Sequence, residues 1–238
     1  MNHVVLVPAP ALGPASWQPV AAELRRGGLH VTVPSLNGLA DAGPPYAPRL
    51  ARMVAGQVPA GPGDTVTLVT HSGAGLFAGQ VSAAIAAAST TAIFADAGLP
   101  GPDGGGPVVG DDFLPYLRQI ATDAVVPPWP LWFPDEDLGA LFPDEPTQRA
   151  VLAEAGPLPL AFFEELLPPV AAHWPPRRAG YLLFSAGYRQ EARKAAGWGW
   201  PVTELPGGHL HMLVSPAEVA AAIIALAGQP ELGRPPPV

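Results

Sequence analysis

Six short apolar runs, spread along the 238 residues of the chain, are the feature that most constrains its fold. Short apolar runs bounded by turn residues are typical of strands that are buried on both faces of a sheet. The first four alternate with helical patterns, and this order predicts an α/β fold with a doubly wound, mostly parallel sheet. The six runs are Val4–Val7, Val31–Val33, Val66–Val69, Ala92–Ala95, Tyr181–Ser185 and Val202–Leu205.

Helical patterns account for most of the sequence between these runs. In 16–26 the apolar residues fall on one helical face: Trp17, Val20, Ala21 and Leu24. The last helix is predicted to begin after Ser215, because Ser at the N-cap, Pro at the first position and Glu at the third are typical of helix starts. Further helices are predicted at Tyr46–Val58, Gly75–Ala88 and Gln190–Gly197.

Residues 101–176 interrupt the strand and helix pattern. This segment holds 15 of the 33 prolines and nine of the 18 aromatic residues, and twelve acidic residues against two arginines. We interpret it as a small helical, Pro-rich cap inserted into a single domain that spans residues 1–238. The alternative is a set of surface connections with no role in binding. Short helices are predicted within it at Phe113–Ala124, Thr147–Ala155 and Leu160–Leu167.

Composition excludes several classes of function. The formal net charge of −8 makes nucleic acid and anionic membranes poor partners. The absence of cysteine excludes disulfides, thiolate metal sites and cysteine nucleophiles. No basic leader and no apolar run long enough to span a bilayer is present, so we expect a cytoplasmic protein. Eleven arginines against one lysine are typical of a GC-rich bacterial genome.

The stretch Thr70-His71-Ser72-Gly73-Ala74 follows the third apolar run and precedes a helical pattern. Small residues around a serine are what a sharp strand-to-helix turn needs, because bulky neighbours would clash with the adjacent strand and helix. Ser72 is therefore a candidate nucleophile. The N–H of Gly73, at a helix N-terminus, is a candidate donor to a developing oxyanion. The competing interpretation is an ordinary turn, with His71 packed nearby.

A serine nucleophile needs a base, and His209 is the candidate. It follows two glycines between the last apolar run and the last helix. The carboxyl ends of parallel strands share one edge of a sheet, so the loops that carry Ser72 and His209 are expected to meet there. His211 is a competitor two residues further on. The remaining candidates of this type, His3, His30 and His173, are expected to be structural.

The chain resembles the α/β-hydrolase superfamily over nearly its whole length. The stretches that carry the resemblance are "VVLVPAPALGPASWQPVAAEL", "VTLVTHSGAG", "AIFADAGLP" and "GGHLHMLVSPAEVAAAI". The small, cap-bearing branch that includes plant-type esterases and hydroxynitrile lyases is the most similar. The resemblance implies that Ser72 is the nucleophile and His209 the base. It implies no metal and no organic cofactor.

The acid of the implied triad is not obvious from the sequence. The family places an Asp or Glu after the strand that precedes the His strand, but residues 188–190 hold no carboxylate, and Glu191 is the nearest. The other workable position for the acid is one strand earlier, after the apolar run Ala92–Ala95, where Asp96 is found. We favour Asp96, whose competing interpretation is a turn-former. A Ser–His dyad assisted by water is a further alternative.

The sequence also leaves undecided which N–H is the second donor to the oxyanion. The family takes one N–H from the loop after the first strand, and the aligned residue here is Pro10, which has none. Either Ala9 or Ala11 donates instead, or the oxyanion hole has one donor fewer. A missing donor typically costs about 10²–10³ in the rate of acyl transfer.

These features support three hypotheses about function. The first is a serine hydrolase for a small, apolar, neutral ester, lactone or thioester, with Trp129 and Trp132 of "PPWPLWF" either lining the substrate pocket or packing in the core of the cap. The second is a lyase, cyclase or eliminase on the same fold, with His209 as general base and Ser72 orienting the substrate. The third is a binding protein without catalytic activity. In each case the partner is a small molecule.

Overall fold

The computed structural model describes residues 2–133, 138–170 and 174–229 of the chain. These residues contain ten strands and nine α-helices, joined by loops and short 3-10 helices. The strands are β1 (Asn2–Val7), β2 (His30–Thr32), β3 (Thr65–Ser72), β4 (Ser89–Ala97), β5 (Gly106–Pro107), β6 (Val125–Val126), β7 (Leu158–Pro159), β8 (Leu166–Leu167), β9 (Ala179–Leu183) and β10 (Val202–Glu204). The helices are α1 (Gln18–Arg26), α2 (Tyr46–Ala55), α3 (Ala78–Ala84), α4 (Leu114–Ile120), α5 (Glu145–Leu152), α6 (Leu160–Phe163), α7 (Arg189–Gly197), α8 (His211–Val214) and α9 (Pro216–Ala227).

Six of the strands form one central sheet in the order β10-β9-β4-β3-β1-β2. Every neighbouring pair in it is parallel. Each strand overlaps one of the six apolar runs, so the predicted α/β class and doubly wound parallel sheet are confirmed. The carboxyl ends of all six strands therefore lie along one edge of the sheet.

Helices cover both faces of this sheet, as the continuous apolar strands require. In β1, Val4 and Leu6 belong to a core shared with α1 and α9, whose contributions include Val20, Leu24, Val219 and Ile223. The alternate residues Val5 and Val7 belong to a second core shared with α2 and α3, through Leu50, Val54 and Val81. A third core joins β4, β9 and α7, through Phe94, Tyr181 and Ala195.

The chain between β4 and β9 folds apart from the central sheet. It contains helices α4, α5 and α6 and two small antiparallel pairs, β5 with β8 and β6 with β7. This is the segment in which the sequence predicts a cap at 101–176. Its limits and its status as an insertion remain a proposal.

Two helices of this segment end earlier than predicted. The helix expected to run to residue 167 stops at Phe163, because Leu166–Leu167 pair with β5 instead. The helix expected to run to residue 124 stops at Ile120, and Asp123 and Ala124 have φ of 50° and 60°. Positive φ values cannot continue a right-handed helix, so the chain turns there.

The start of α5 shows a capping signal that the prediction overlooked. The helix begins at Glu145, two residues before the expected start, because the Asp144 carboxylate accepts the Thr147 N–H at 2.7 Å. In contrast, α9 begins at the predicted residue, but the Ser215 side chain makes no capping hydrogen bond. No helix within the described ranges is long and apolar enough to cross a bilayer.

Candidate active site

Ser72 lies on a strained turn at the carboxyl end of β3. Its φ is 54° and its ψ is −131°, and a short 3-10 helix, Gly73–Phe77, follows directly. Positive φ is uncommon for residues other than glycine and is often found at functional sites. A close approach to the end of β4 keeps the turn tight, since a Cβ on Gly75 would lie 2.2 Å from the Gly98 carbonyl oxygen. The Ser72 carbonyl also accepts the Gly98 N–H at 3.1 Å.

Asp96 occupies an irregularity in the neighbouring strand β4. His71 pairs with Ala95 and Ser72 pairs with Ala97, so Asp96 is an extra residue in the register. Its φ of 44° lies outside the extended region. Such bulges redirect a side chain, which is why they recur next to active sites. The Tyr181 hydroxyl holds the strand beyond the bulge, because it accepts the Ala97 N–H at 3.0 Å and donates to the Ala97 carbonyl at 2.8 Å.

The buried Asp96 carboxylate is hydrogen-bonded to His209. Its Oδ2 lies 2.8 Å from His209 Nδ1 and accepts the Ser185 hydroxyl at 2.5 Å. Its Oδ1 accepts the N–H groups of Phe184 and Ser185 at 2.9 and 3.0 Å. Burial acts to raise the pKa of Asp96, but these hydrogen bonds and the His209 charge outweigh it, so the pKa lies below its ordinary value.

Backbone hydrogen bonds fix the loop that carries His209. The Gly207 N–H donates to the Phe184 carbonyl at 3.0 Å, and the His211 N–H donates to the Gly208 carbonyl at 3.0 Å. Gly207 leaves room for the His211 ring, since a Cβ on it would lie 2.2 Å from His211 Nδ1. His211 itself packs against Phe184 and lies 3.6 Å from Glu218, so it does not take the place of His209.

His71 lies beneath His209 and is completely buried. Its Nε2 lies 3.0 Å from the His209 carbonyl, to which it can donate, and the two ring centroids are 4.5 Å apart. The edge of Trp17 packs on its other side. Burial, and next the charge of His209, lower the pKa of His71 to about 3. His71 is therefore neutral near pH 7 and adds no positive charge beside His209.

Tyr188 is a component of this site that sequence reasoning missed. Its hydroxyl lies 3.1 Å from Ser72 Oγ, and its ring is stacked on that of His209, with centroids 5.0 Å apart and planes 6° apart. Within the described residues, the Ser72 hydroxyl bonds to this phenol and not to His209. Tyr188 lies where the family's acid is expected, and no sequence pattern indicates that a phenol there would contact Ser72.

Glu191 and the remaining histidines lie away from this cluster. The Glu191 carboxylate accepts the Leu99 N–H at 3.3 Å. The structure thus brings Asp96, and not Glu191, to His209 Nδ1. His3 stacks on His30 and bonds to Thr32 near the amino ends of β1 and β2. His173 lies outside the described residues.

The loop after β1 forms the opposite wall of the site. The Leu12 N–H donates to the Ala9 carbonyl at 2.8 Å, which closes a tight turn with Pro10 and Ala11 at its centre. Pro10 faces Gly73, since a Cβ on that glycine would lie 3.8 Å from Pro10 Cδ. Both alanines and Gly73 line the same cavity as Ser72. The residue of this loop that faces Gly73 is therefore Pro10, which has no backbone N–H to donate.

A cavity of about 670 Å³ opens over Ser72 and His209. Its walls are mostly apolar and come from both the sheet edge and the chain between β4 and β9, with Leu76, Val108, Phe113, Phe162 and Phe163 among them. Trp129 and Trp132 both line it, as predicted for the pocket, and the Trp132 indole N–H donates to the Pro127 carbonyl at 2.7 Å. The described lining residues include no Asp, Glu, Lys or Arg, and His209 is the one histidine among them.

A Ser–His–carboxylate cluster at the carboxyl edge of a doubly wound parallel sheet is typical of the class of α/β-hydrolase-fold proteins. Residues 4–222 match the model of the alpha/beta hydrolase family, and the chain belongs to that family. No group of three potential metal ligands occurs within the described ranges. No curated protein matches the chain significantly.

Several solved structures share the fold. An extracellular alpha/beta-hydrolase from a Paenibacillus species, related to tobacco salicylic acid binding protein 2, is 19% identical with a TM-score of 0.69, covering 97% of this chain and 100% of its own. Tomato methylketone synthase I in complex with 2-tridecanone is 17% identical with a TM-score of 0.68, covering 95% and 97%. A methylesterase from Arabidopsis is 18% identical with a TM-score of 0.65, covering 95% and 99%.

Proposed function

We propose that this protein is a serine hydrolase of the esterase, lactonase or thioesterase type, acting on a small, apolar, neutral acyl substrate. The observation that carries the proposal is the 2.8 Å hydrogen bond that Asp96 Oδ2 accepts from His209 Nδ1, with Ser72 and His209 on the wall of the same cavity. An ionised carboxylate at Nδ1 fixes the tautomer of the imidazole, so that Nε2 is free to act as the base.

The reaction begins with Ser72. Its Oγ attacks the acyl carbon while its proton passes to His209 Nε2, and Asp96 stabilises the resulting imidazolium. The Gly73 N–H donates to the oxyanion, and an N–H of Ala9 or Ala11 is the candidate second donor. His209 then protonates the leaving group. Water, deprotonated by His209, attacks the acyl-enzyme, and the acid product and free Ser72 result.

The cavity supports a neutral apolar substrate. Its aromatic and aliphatic walls, which include Trp129 and Trp132, favour an acyl or alcohol group of the same character. The segment 101–176 acts in this proposal as a cap that excludes water from the bound substrate. The tomato synthase with 2-tridecanone is a relative with an apolar ligand on the same fold, which is consistent with this substrate class.

A second function has its own support. In this structure Ser72 Oγ is bonded to Tyr188, and Pro10 has no N–H to give to an oxyanion. Both features suit a lyase, cyclase or eliminase in which His209 removes a proton from the substrate and Ser72 only orients it. Such a reaction develops no tetrahedral oxyanion and does not need a complete hole.

Labelling with a fluorophosphonate probe tests the proposal. A serine hydrolase is expected to be labelled at Ser72, with labelling abolished in Ser72→Ala and strongly slowed in His209→Gln. A panel of p-nitrophenyl esters should be turned over with the same dependence. An unlabelled protein with His209-dependent turnover of another substrate would favour the second function. A protein with neither property would favour a binding role.

A further inference from the structure

The phenol of Tyr188 contacts a reacting atom, a feature that the Ser–His–Asp scheme does not use. Its hydroxyl lies 3.1 Å from Ser72 Oγ, within hydrogen-bond range. Its ring is stacked on His209, nearly parallel, and it lines the cavity with both residues. One side chain therefore touches both the proposed nucleophile and the proposed base.

The surroundings of Tyr188 favour the neutral phenol. Its burial raises its pKa above the ordinary value, and the charges of Asp96 and Glu191 act in the same direction, while the hydrogen bond with Ser72 opposes them. The group consequently carries its proton throughout the neutral range. It can donate that proton to Ser72 Oγ, and the Ser72 proton is then free to be donated to His209.

Two residues of the cavity wall, Pro10 and Trp132, have no free N–H for Ser72 Oγ. Pro10, on the wall beside Gly73, contributes no N–H. The Trp132 indole N–H, although on the cavity wall, is already donated to the Pro127 carbonyl. The cavity is otherwise mostly apolar, and a hydrogen bond in such surroundings is stronger than in water. A phenol beside Oγ is therefore well placed to stabilise negative charge on that atom.

We propose that Tyr188 is a catalytic hydrogen-bond donor to Ser72 Oγ. The inference rests on the proposed function, because it requires Ser72 to act as a nucleophile. Oγ carries negative charge twice in that cycle: when it attacks and its proton passes to His209, and when it leaves the acyl group and regains the proton. Tyr188 keeps its own proton in both steps, so the atoms and charges of the reaction are unchanged.

Tyr188→Phe tests this role, because it removes the hydroxyl and retains the ring that stacks on His209. A hydrogen bond to a charged atom contributes about 1.5–3 kcal/mol, equivalent to a roughly 10- to 150-fold change in rate. We expect a loss of that size in both the rate of fluorophosphonate labelling and kcat for a p-nitrophenyl ester, with KM changed little. Tyr188→Leu, which lacks both hydroxyl and ring, should lose at least as much.

Tyr116→Phe is the matched control. It removes a phenol of the cap segment that donates to the Trp132 backbone carbonyl and not to Ser72, so its labelling rate should match wild type. If labelling of Tyr188→Phe equals or exceeds that of wild type, the inference is wrong while the hydrolase proposal stands. If wild type itself is not labelled at Ser72, both are wrong.

Discussion

At the scale of single residues, two neighbours of His209 are held in different charge states, one negative and one neutral. Asp96 receives four hydrogen bonds, which keep it ionised despite complete burial. His71 is neutral, because burial and His209 itself lower its pKa. In the proposed mechanism, the imidazolium that forms on His209 therefore faces a negative charge on Asp96 and no positive charge on His71.

The first prediction concerns the acid. Asp96→Asn should lower kcat by about 10²–10⁴-fold, because a neutral amide neither fixes the productive tautomer of His209 nor stabilises its cation. Glu191→Gln is the control. It alters the other candidate acid, which bonds to Leu99 instead, and should stay within about threefold of wild type. If ester hydrolysis assays show a larger loss of kcat in Glu191→Gln than in Asp96→Asn, Asp96 is not the acid of the proposed mechanism.

The second prediction concerns pH and His71. Because its pKa falls from 6.5 to about 3 on folding, the unfolded chain binds a proton that the folded chain does not in this range. The free energy of unfolding should fall as the pH is lowered through that window. His71→Gln retains a donor for the His209 carbonyl but does not titrate, so its stability should fall less steeply. Parallel urea titrations at several pH values measure this, and equal slopes would contradict it.

The sequence identified Ser72 and His209 but could not decide the acid, and the reason is physical. Ser72 and His209 each lie in a local pattern of glycines and small residues that a turn requires. Asp96 differs from a turn-former through the register of β4 against β3, which the residues around Asp96 do not reveal. Tyr188 had no pattern of its own, since its role arises from its contact with Ser72, 116 positions away.

At the scale of elements, the site depends on the contact between the turn after β3 and the end of β4. Ser72 lies on the first and Asp96 on the second, and Gly75 and Gly98 meet between them. All six strands were predicted to within a few residues because their apolar runs are strong local signals. The bulge at Asp96 was not, since a bulge is a property of two paired strands and not of one sequence.

The third prediction follows from that contact. Gly75→Ala should destabilise the protein by about 1–3 kcal/mol and reduce activity, because its Cβ would overlap the Gly98 carbonyl and displace the turn that carries Ser72. Gly63→Ala is the control, since a Cβ there meets nothing within 4 Å. Urea unfolding and ester hydrolysis measure the two effects. Equal free energies of unfolding for the two variants would contradict this prediction, because the turn would then accommodate the added methyl group without loss of stability.

At the scale of the whole molecule, charge is distributed unevenly around a neutral cavity. Residues 101–176 hold twelve of the twenty acidic residues, yet the described lining contains no carboxylate. Arginine and lysine are likewise absent from that lining. The residues that this segment contributes to the described lining are therefore mostly apolar and aromatic.

The fourth prediction concerns substrate charge. A p-nitrophenyl ester of butyric acid should be hydrolysed with a kcat/KM at least tenfold above that of the hemisuccinate ester, because the carboxylate of the latter would lose its hydration without finding a cation. The uncatalysed hydrolysis rates of the two esters serve as the reference. Comparable kcat/KM values would indicate a charged group or water near the acyl chain and would contradict a neutral apolar pocket.

The parallel pairing of β4 with β9 has a consequence for engineering the substrate range. The chain leaves β4 at Ala97, at the carboxyl edge of the sheet, and re-enters β9 at Ala179, which pairs with Ala92 near the middle of β4. The stretch between them must therefore travel back along the sheet as well as cover the cavity. Excising it and splicing the ends with a tight loop would break the strand order. A graft from another member of the family must preserve that return path.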